Sequence, residues 1–141
     1  LIWKSKKQKN YPVLLPFPEI NKNMNVEMLK AQLNKNVEII GATFSNEHLQ
    51  LLGYGFCGIM DELGWMELLL EIATMPGEAL EDDIKLKANF YDEDGVIIYS
   101  DESDIYADEF SGYDTIKISL HENNLAFNTV KCRIFVTRSI Y

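Results

Sequence analysis

Carboxylates are the side chains whose number and crowding first suggest chemistry. From Glu81 to Glu109 there are eleven: Glu81, Asp82, Asp83, Asp92, Glu93, Asp94, Asp101, Glu102, Asp104, Asp108 and Glu109, opposed only by Lys85 and Lys87. Two kinds of chemistry use such groups. Calcium takes about six to eight oxygens converging from a loop. Asp92-x-Asp94-Gly95 begins like such a loop but lacks the later ligands of an EF-hand. Residues 101–108 joined with 81–83 make the better-placed set, because both flank one end of a hairpin. Glycoside hydrolysis needs two carboxyls facing each other across a cleft, with the pKa of one raised. A small domain with a filled core offers little cleft. Solvated acidic loops are therefore the expectation, with no metal, no cofactor and no enzymatic activity.

The other reactive residue types add little. His48 and His121 sit beside turns, next to Glu47 and Glu122, and no nucleophile context accompanies them. Gly53-x-Gly55-x-x-Gly58 fits the dinucleotide-binding fingerprint as a string. That fingerprint requires strand, turn and then helix, whereas Cys57-Gly58-Ile59-Met60 continues as a strand. Cys57 and Cys132 belong to no C-x-x-C pair, which argues against zinc and thioredoxin-type chemistry. They are either two buried free thiols or one bridge between sheets with Trp65 packed on it.

Aromatic residues interleave with the acids: Tyr91, Tyr99, Tyr106, Phe110 and Tyr113. Tyrosine beside carboxylates suits a protein-binding face for a basic partner. The candidate partner-binding set is Asp92, Glu93, Asp94, Tyr99, Asp101, Glu102, Asp104, Tyr106, Asp108 and Glu109. Net charge agrees, at −9 over 141 residues. It disfavours general affinity for nucleic acid, whose phosphates it repels. The charge is uneven: residues 1–10 hold Lys4, Lys6, Lys7 and Lys9 and no acid, which leaves −13 for the rest. The chain opens on Leu1, so it is expected to be a processed or excised piece. LIWKSKKQKN then reads as a solvated tail or as the basic edge of a removed anchor or signal region. No stretch stays apolar for the roughly 18 residues of a membrane span.

The elements that position the acids follow from periodicity. Residues 84–100, IKLKANFYDEDGVIIYS, predict a β-hairpin. Ile84, Leu86, Ala88 and Phe90 form an apolar row, and Lys85, Lys87, Asn89 and Tyr91 point the other way. Gly95 completes the turn with a positive φ. Pairing Asp92 with Val96 puts Phe90 opposite Ile98. Residues 10–23 hold Pro12, Pro16 and Pro18 among Val13, Leu14, Leu15 and Phe17 and predict an extended arm. Residues 25–33 predict a short helix capped by Asn25, with Val26, Leu29 and Leu33 on one face. Residues 37–45, VEIIGATFS, predict the first strand of the main sheet, with a bulge at Gly41. Residues 49–60 predict a glycine-marked strand with Tyr54 and Phe56 on one face.

Residues 65–74, WMELLLEIAT, have helical propensity. Between Gly64 and Pro76-Gly77, next to a hairpin partner, they predict a strand with Met66, Leu68, Leu70 and Ile72 inside. Residues 101–111 predict a second acidic loop, residues 113–120 a strand, 121–124 a turn. In the last strand Val130, Cys132, Ile134 and Val136 alternate with Lys131, Arg133, Phe135 and Thr137. About seven strands result: a mainly all-β, antiparallel sandwich with an N-terminal arm (1–23) and one domain (24–141).

The run IKLKANFYDEDGVIIYSDE, then FSGYDTIKISL and VKCRIFVTR, resembles the immunoglobulin-like FxLYD-type domains of bacterial extracytoplasmic proteins. Tyr91-Asp92 and Gly95 match their tyrosine-aspartate and glycine turn, and Gly112 with residues 116–120 matches the following strand. The motif's phenylalanine and leucine positions hold Ala88 and Phe90 instead. The likeness covers roughly residues 64–138 and implies a non-catalytic immunoglobulin-like module with no site residues to carry over. The expected function is a protein-interaction module in an envelope or surface assembly, with an extracytoplasmic or surface-attached place favoured over a cytoplasmic one. The alternative is a small acidic inhibitor or immunity-type protein that neutralises a basic enzyme.

Overall fold

Strand alternation at the centre of the chain sets the layers. A computed structural model describes residues 26–60, 65–120 and 125–139. The expected arm, the Asn25 cap and the turns at 61–64 and 121–124 lie outside the described residues. The elements are α1 (Val26–Lys35), β1 (Val37–Ile39), α2 (Gly41–Ser45), β2 (Leu49–Met60), β3 (Trp65–Thr74), β4 (Ile84–Tyr91), β5 (Ile97–Ile105), β6 (Tyr113–Leu120), α3 (Leu125–Asn128) and β7 (Lys131–Arg138). One sheet has the order β1-β7-β4-β5 and the other β2-β3-β6. The protein is thus mainly β, with seven described strands in two packed sheets.

The core is made by rows of alternate residues. On β4, Ile84, Leu86, Ala88 and Phe90 are fully buried, and on β7 Cys132, Ile134 and Val136 continue the row. From the other sheet β3 supplies Met66, Leu68, Leu70 and Ile72, all buried. The helical propensity of 65–74 loses because β3 is the middle strand of its sheet. Paired on both sides, it buries its even-numbered row, while Glu67, Leu69, Glu71 and Ala73 face outward. Phe90 contacts across the layers, with its ring edge-on to Phe56 at 6.4 Å between centroids.

Helix α1 closes one flank. Leu29 and Leu33, one turn apart, are buried in the core. In its last turn Asn34 Oδ1 accepts the Phe56 amide at 2.6 Å, so the helix caps the outer edge of β2. Asn36 ends it by donating its side-chain amide to Gln32 O at 2.8 Å.

Four expectations are corrected. Residues 37–45 are not one strand: β1 stops at Ile39 and α2 follows. Hydroxyls favour the helical turn, with Thr43 Oγ1 donating to Ile40 O (2.7 Å) and Ser45 Oγ to Ala42 O (3.2 Å). The turn also buries Phe44. Secondly, the sandwich is not wholly antiparallel, because β1 pairs with β7 in parallel. Thirdly, residues 101–105 are strand rather than loop. Edge strand β5 runs on to Ile105, because Ser103 and Ile105 pair with Leu86 and Ile84 while Glu102 and Asp104 are exposed. Lastly, Phe90 faces Tyr99 instead of Ile98. Asp92 N does donate to Val96 O at 3.0 Å, but a register shift follows between Phe90 and Tyr91, leaving Ile98 as the extra residue. Gly95 has the expected positive φ, 81°.

The buried row and its opposite make a direct test. Phe90→Ala is predicted to cost about 3–5 kcal/mol through the ring-sized cavity it leaves. Lys87→Ala, on the outward row of the same strand, is predicted to stay within about 0.5 kcal/mol. Urea melts of the two variants decide it, and equal losses would refute this register.

Candidate functional site

The acidic residues fall into two groups set by the hairpin. At its turn, Asp92 Oδ1 accepts the amides of Asp94 (2.9 Å) and Val96 (3.0 Å), so this carboxylate shapes the turn. Glu93 and Asp94 stand exposed at the tip. Nine residues of β5 separate the tip from the other end, roughly 30 Å at strand rise. There Glu102 Oε2 and Asp104 Oδ1 flank the Lys85 ammonium at 2.7 and 2.8 Å. Both hydrogen bonds hold the Lys85 pKa above its ordinary value. Asp108 and Glu109 lie exposed in the following loop, where Tyr106 is also exposed. Asp83 Oδ1 ties this loop down by accepting the Ala107 amide at 2.8 Å.

The structure therefore joins the 81–83 segment to the loop after β5, as expected, but not to Asp101. That residue pairs with Ala88 in mid-strand, and its Oδ1 accepts the Glu102 amide at 2.9 Å. Asp82 turns toward Arg138 at 3.4 Å. Among the described residues no three His, Cys, Asp or Glu side chains converge as a metal site would need. Tyr99 leaves the expected exposed set: it is partly buried and packs on Phe90 at 6.0 Å.

The thiols are free. Cys132 is in the core, where burial pushes its pKa up. Cys57 pairs with Glu67 on the outward row of the other sheet, so the inter-sheet bridge does not form. His48 has a φ of 63°, and its Nδ1 lies 3.3 Å from Glu78. His121 is outside the described residues. The glycine string lies within β2. There Gly53 makes room for Glu71: a Cβ at that position would stand 2.9 Å from Glu71 Oε1. Glu71 Oε2 accepts the Tyr113 hydroxyl at 2.6 Å. A shallow trough of about 340 Å³ runs over Gly53, Gly55, Cys57, Leu69 and Glu71.

One cluster escaped sequence reasoning. On the outer face of the β1-β7-β4-β5 sheet, Glu38 stands between two cations, Lys131 Nζ at 3.2 Å and Arg133 Nε at 2.7 Å. The Arg133 guanidinium lies 4.7 Å from the Tyr91 ring centroid. The Lys131 side chain is only 1% exposed. Alternation on β7 did place Lys131 and Arg133 on one face. The acid that joins them is more than ninety positions earlier and arrives only through the parallel β1–β7 pairing. Desolvation lowers the Lys131 pKa despite Glu38. Glu38, Lys131 and Arg133 thus form one ion network across β1 and β7.

No family model, curated protein or solved structure matches the chain.

Glu38→Ala is predicted to cost on the order of 3–5 kcal/mol, because it leaves Lys131 buried beside Arg133 without its carboxylate. The pH dependence has a definite sign. With the folded pKa of Lys131 below its ordinary 10.5, the unfolded chain holds the proton longer as pH rises. Between the two values the fold binds fewer protons, so stability increases with pH there. Lys131→Met is predicted to abolish that rise in urea melts taken across alkaline pH. An unchanged profile would show that another group is responsible.

Proposed function

We propose that this protein is a non-catalytic β-sandwich module that binds another protein through the acidic surface at the end of its β4–β5 hairpin. One observation carries this reading. From Asp92 to Glu109 there are eight acids and no lysine or arginine, and of these Glu102, Asp104, Asp108 and Glu109 are exposed toward that end. Lys85 answers Glu102 and Asp104, while Asp108 and Glu109 follow the exposed Tyr106 in the same loop. A basic surface is the complementary partner, and the charge speeds encounter as well as orienting it.

Two packed sheets and the Tyr91-Asp92 turn with Gly95 support a likeness to FxLYD-type domains at the level of architecture. The immunoglobulin strand order groups first, second, fifth and fourth against third, sixth and seventh. Here β1, β7, β4 and β5 stand against β2, β3 and β6. The envelope or surface setting therefore rests on the sequence likeness. The inhibitor reading draws on the same acids and differs only in the partner, a basic enzyme in place of an assembly component.

Capture experiments from the source organism test both. The wild-type chain and an Asp104→Asn/Asp108→Asn/Glu109→Gln variant serve as paired baits at low salt. The expected result is a partner held by the wild type, released by about 0.5 M salt through screening, and lost from the variant. One dominant basic enzyme favours the inhibitor, and envelope components favour the module. Identical captures on both baits would remove the acidic surface as the binding site.

A further inference from the structure

One patch of an outer sheet face is closed to water. Lys131, Arg133 and Glu38 lie on the face of the β1-β7-β4-β5 sheet turned away from β2-β3-β6, and Tyr91 joins them from β4. Exposure there is 1% at Lys131, 6% at Tyr91, 12% at Glu38 and 15% at Arg133. Ion pairing alone does not achieve this. Lys85 stands on the same face between two carboxylates at 2.7 and 2.8 Å, and its side chain keeps 33% exposure. Burial also runs through consecutive residues: Thr129, Val130, Lys131 and Cys132 are all buried, as are Phe90 and Tyr91. Neighbours in a strand point to opposite faces, so both faces are covered at this end.

The described elements lie elsewhere. Helix α1 sends Leu29 and Leu33 into the core and caps β2 through Asn34. Helix α2 runs on beside β7 where β1 stops, with Ile40 N donating to Ile134 O and Val136 N to Thr43 Oγ1, and it buries Phe44. Helix α3 touches β3 and packs Phe127 on the core. At the hairpin end Ile97, the partner of Tyr91, stays 53% exposed. Four stretches lie outside the described residues: 1–25, 61–64, 121–124 and 140–141. Two of them, 61–64 and 121–124, leave from and return to the other sheet, from β2 to β3 and from β6 to the helix that touches β3. Four residues bridge at most about 18 Å, less than the way out past a second layer roughly 10 Å off and back. Residues 140 and 141 follow the far end of β7, where Arg138 pairs with Ile84, about 23 Å from Lys131 at strand rise. The segment before α1 does have the length. Helix α1 carries its start about 15 Å from β1, and residues 10–23 span up to about 45 Å when extended.

We propose that this patch is the seat of the chain's own segment 10–23, which crosses the outer face of β7 at the Tyr91–Lys131 end and seals Lys131 from water. The composition of the segment suits the seat. Val13, Leu14, Leu15, Phe17 and Ile20 are apolar groups that displace water from the lysine stem and the Tyr91 ring. Pro12, Pro16 and Pro18 bring no amide hydrogens that a covered site would have to satisfy. The lowered pKa of Lys131 agrees, since an apolar cover penalises the ammonium. The sandwich then has a third layer at this end, while Glu102 and Asp104 stay exposed at the other. The inference is therefore independent of the basic-partner reading.

Photo-crosslinking of the full chain tests it, with p-benzoylphenylalanine in place of Phe17 and the adducts mapped by mass spectrometry. The expected adducts form within one chain, on the stretches 89–91 or 131–135. Adducts confined to the β2-β3-β6 sheet, adducts only between two chains, or none at all overturn the proposal. Amine acetylation gives a second reading, comparing Lys131 with Lys117, which is 57% exposed on the other sheet. In the wild type Lys131 is expected to react far more slowly than Lys117. In Leu14→Asp/Phe17→Asp it is expected to lose that protection and approach the Lys117 rate, while the Cys132 thiol stays blocked in the core. A Lys131 that reacts freely in the wild type, or stays protected in the variant, overturns the proposal. If Cys132 opens as well, the variant has unfolded, and the crosslink on the otherwise native chain decides.

Discussion

The contact between the inner rows of β4 and β3 is the constraint on which the other features depend. Ile84, Leu86, Ala88 and Phe90 meet Met66, Leu68, Leu70 and Ile72, and each of these side chains is buried. Because strand side chains alternate, burying these rows fixes what lies on the outer faces. Lys85 is thereby placed between Glu102 and Asp104, Tyr91 beneath Arg133, and Glu71 over Gly53. A slip of one residue in either strand would exchange the core for the charged rows.

The two outer faces solve the charge problem differently. On the β1-β7-β4-β5 sheet, opposite charges are neighbours on adjacent strands: Glu38 with Lys131 and Arg133 near one end, Lys85 with Glu102 and Asp104 near the other. The first group holds the buried Lys131 between partly buried partners and depends on complete pairing, since desolvation is offset only while all partners are in place. The second is partly exposed and contributes little to stability. The β2-β3-β6 sheet carries fewer charges outward and keeps Leu69 and Tyr113 exposed beside the glycine trough.

Local signals were legible where one residue's neighbours decide its state. The rows of β3, β4 and β7 were readable from alternation alone, and so was the strand state of 65–74 against its propensity. The apolar face of α1 was readable from its spacing. What sequence did not reveal required a distant partner. Residues 37–45 look β-forming, yet after three residues Thr43 and Ser45 turn the backbone into α2, and Thr43 Oγ1 goes on to accept the Val136 amide at 3.1 Å. Residues 101–105 look like a loop because their acids suit solvent, but β4 supplies the ladder. The candidate surface was legible as charge, and its division into two ends came only with the length of β5. Tyr99 could not be assigned to the core without the register shift beside Phe90.

The position of β7 has a consequence for how the chain is made. It is the last described strand, yet it lies between β1, the first, and β4. Val37 pairs with Cys132 and Ile39 with Ile134, so β1 has no place in a sheet until β7 has also left the ribosome. During synthesis the β2–β3 and β4–β5 hairpins form from nearby residues, while the slot between β1 and β4 stays open. Closing it brings together residues about ninety-five positions apart, a long-range step of the kind that slows folding and leaves apolar strand surface uncovered until then. A nascent chain of this sequence is thus committed to wait for β7.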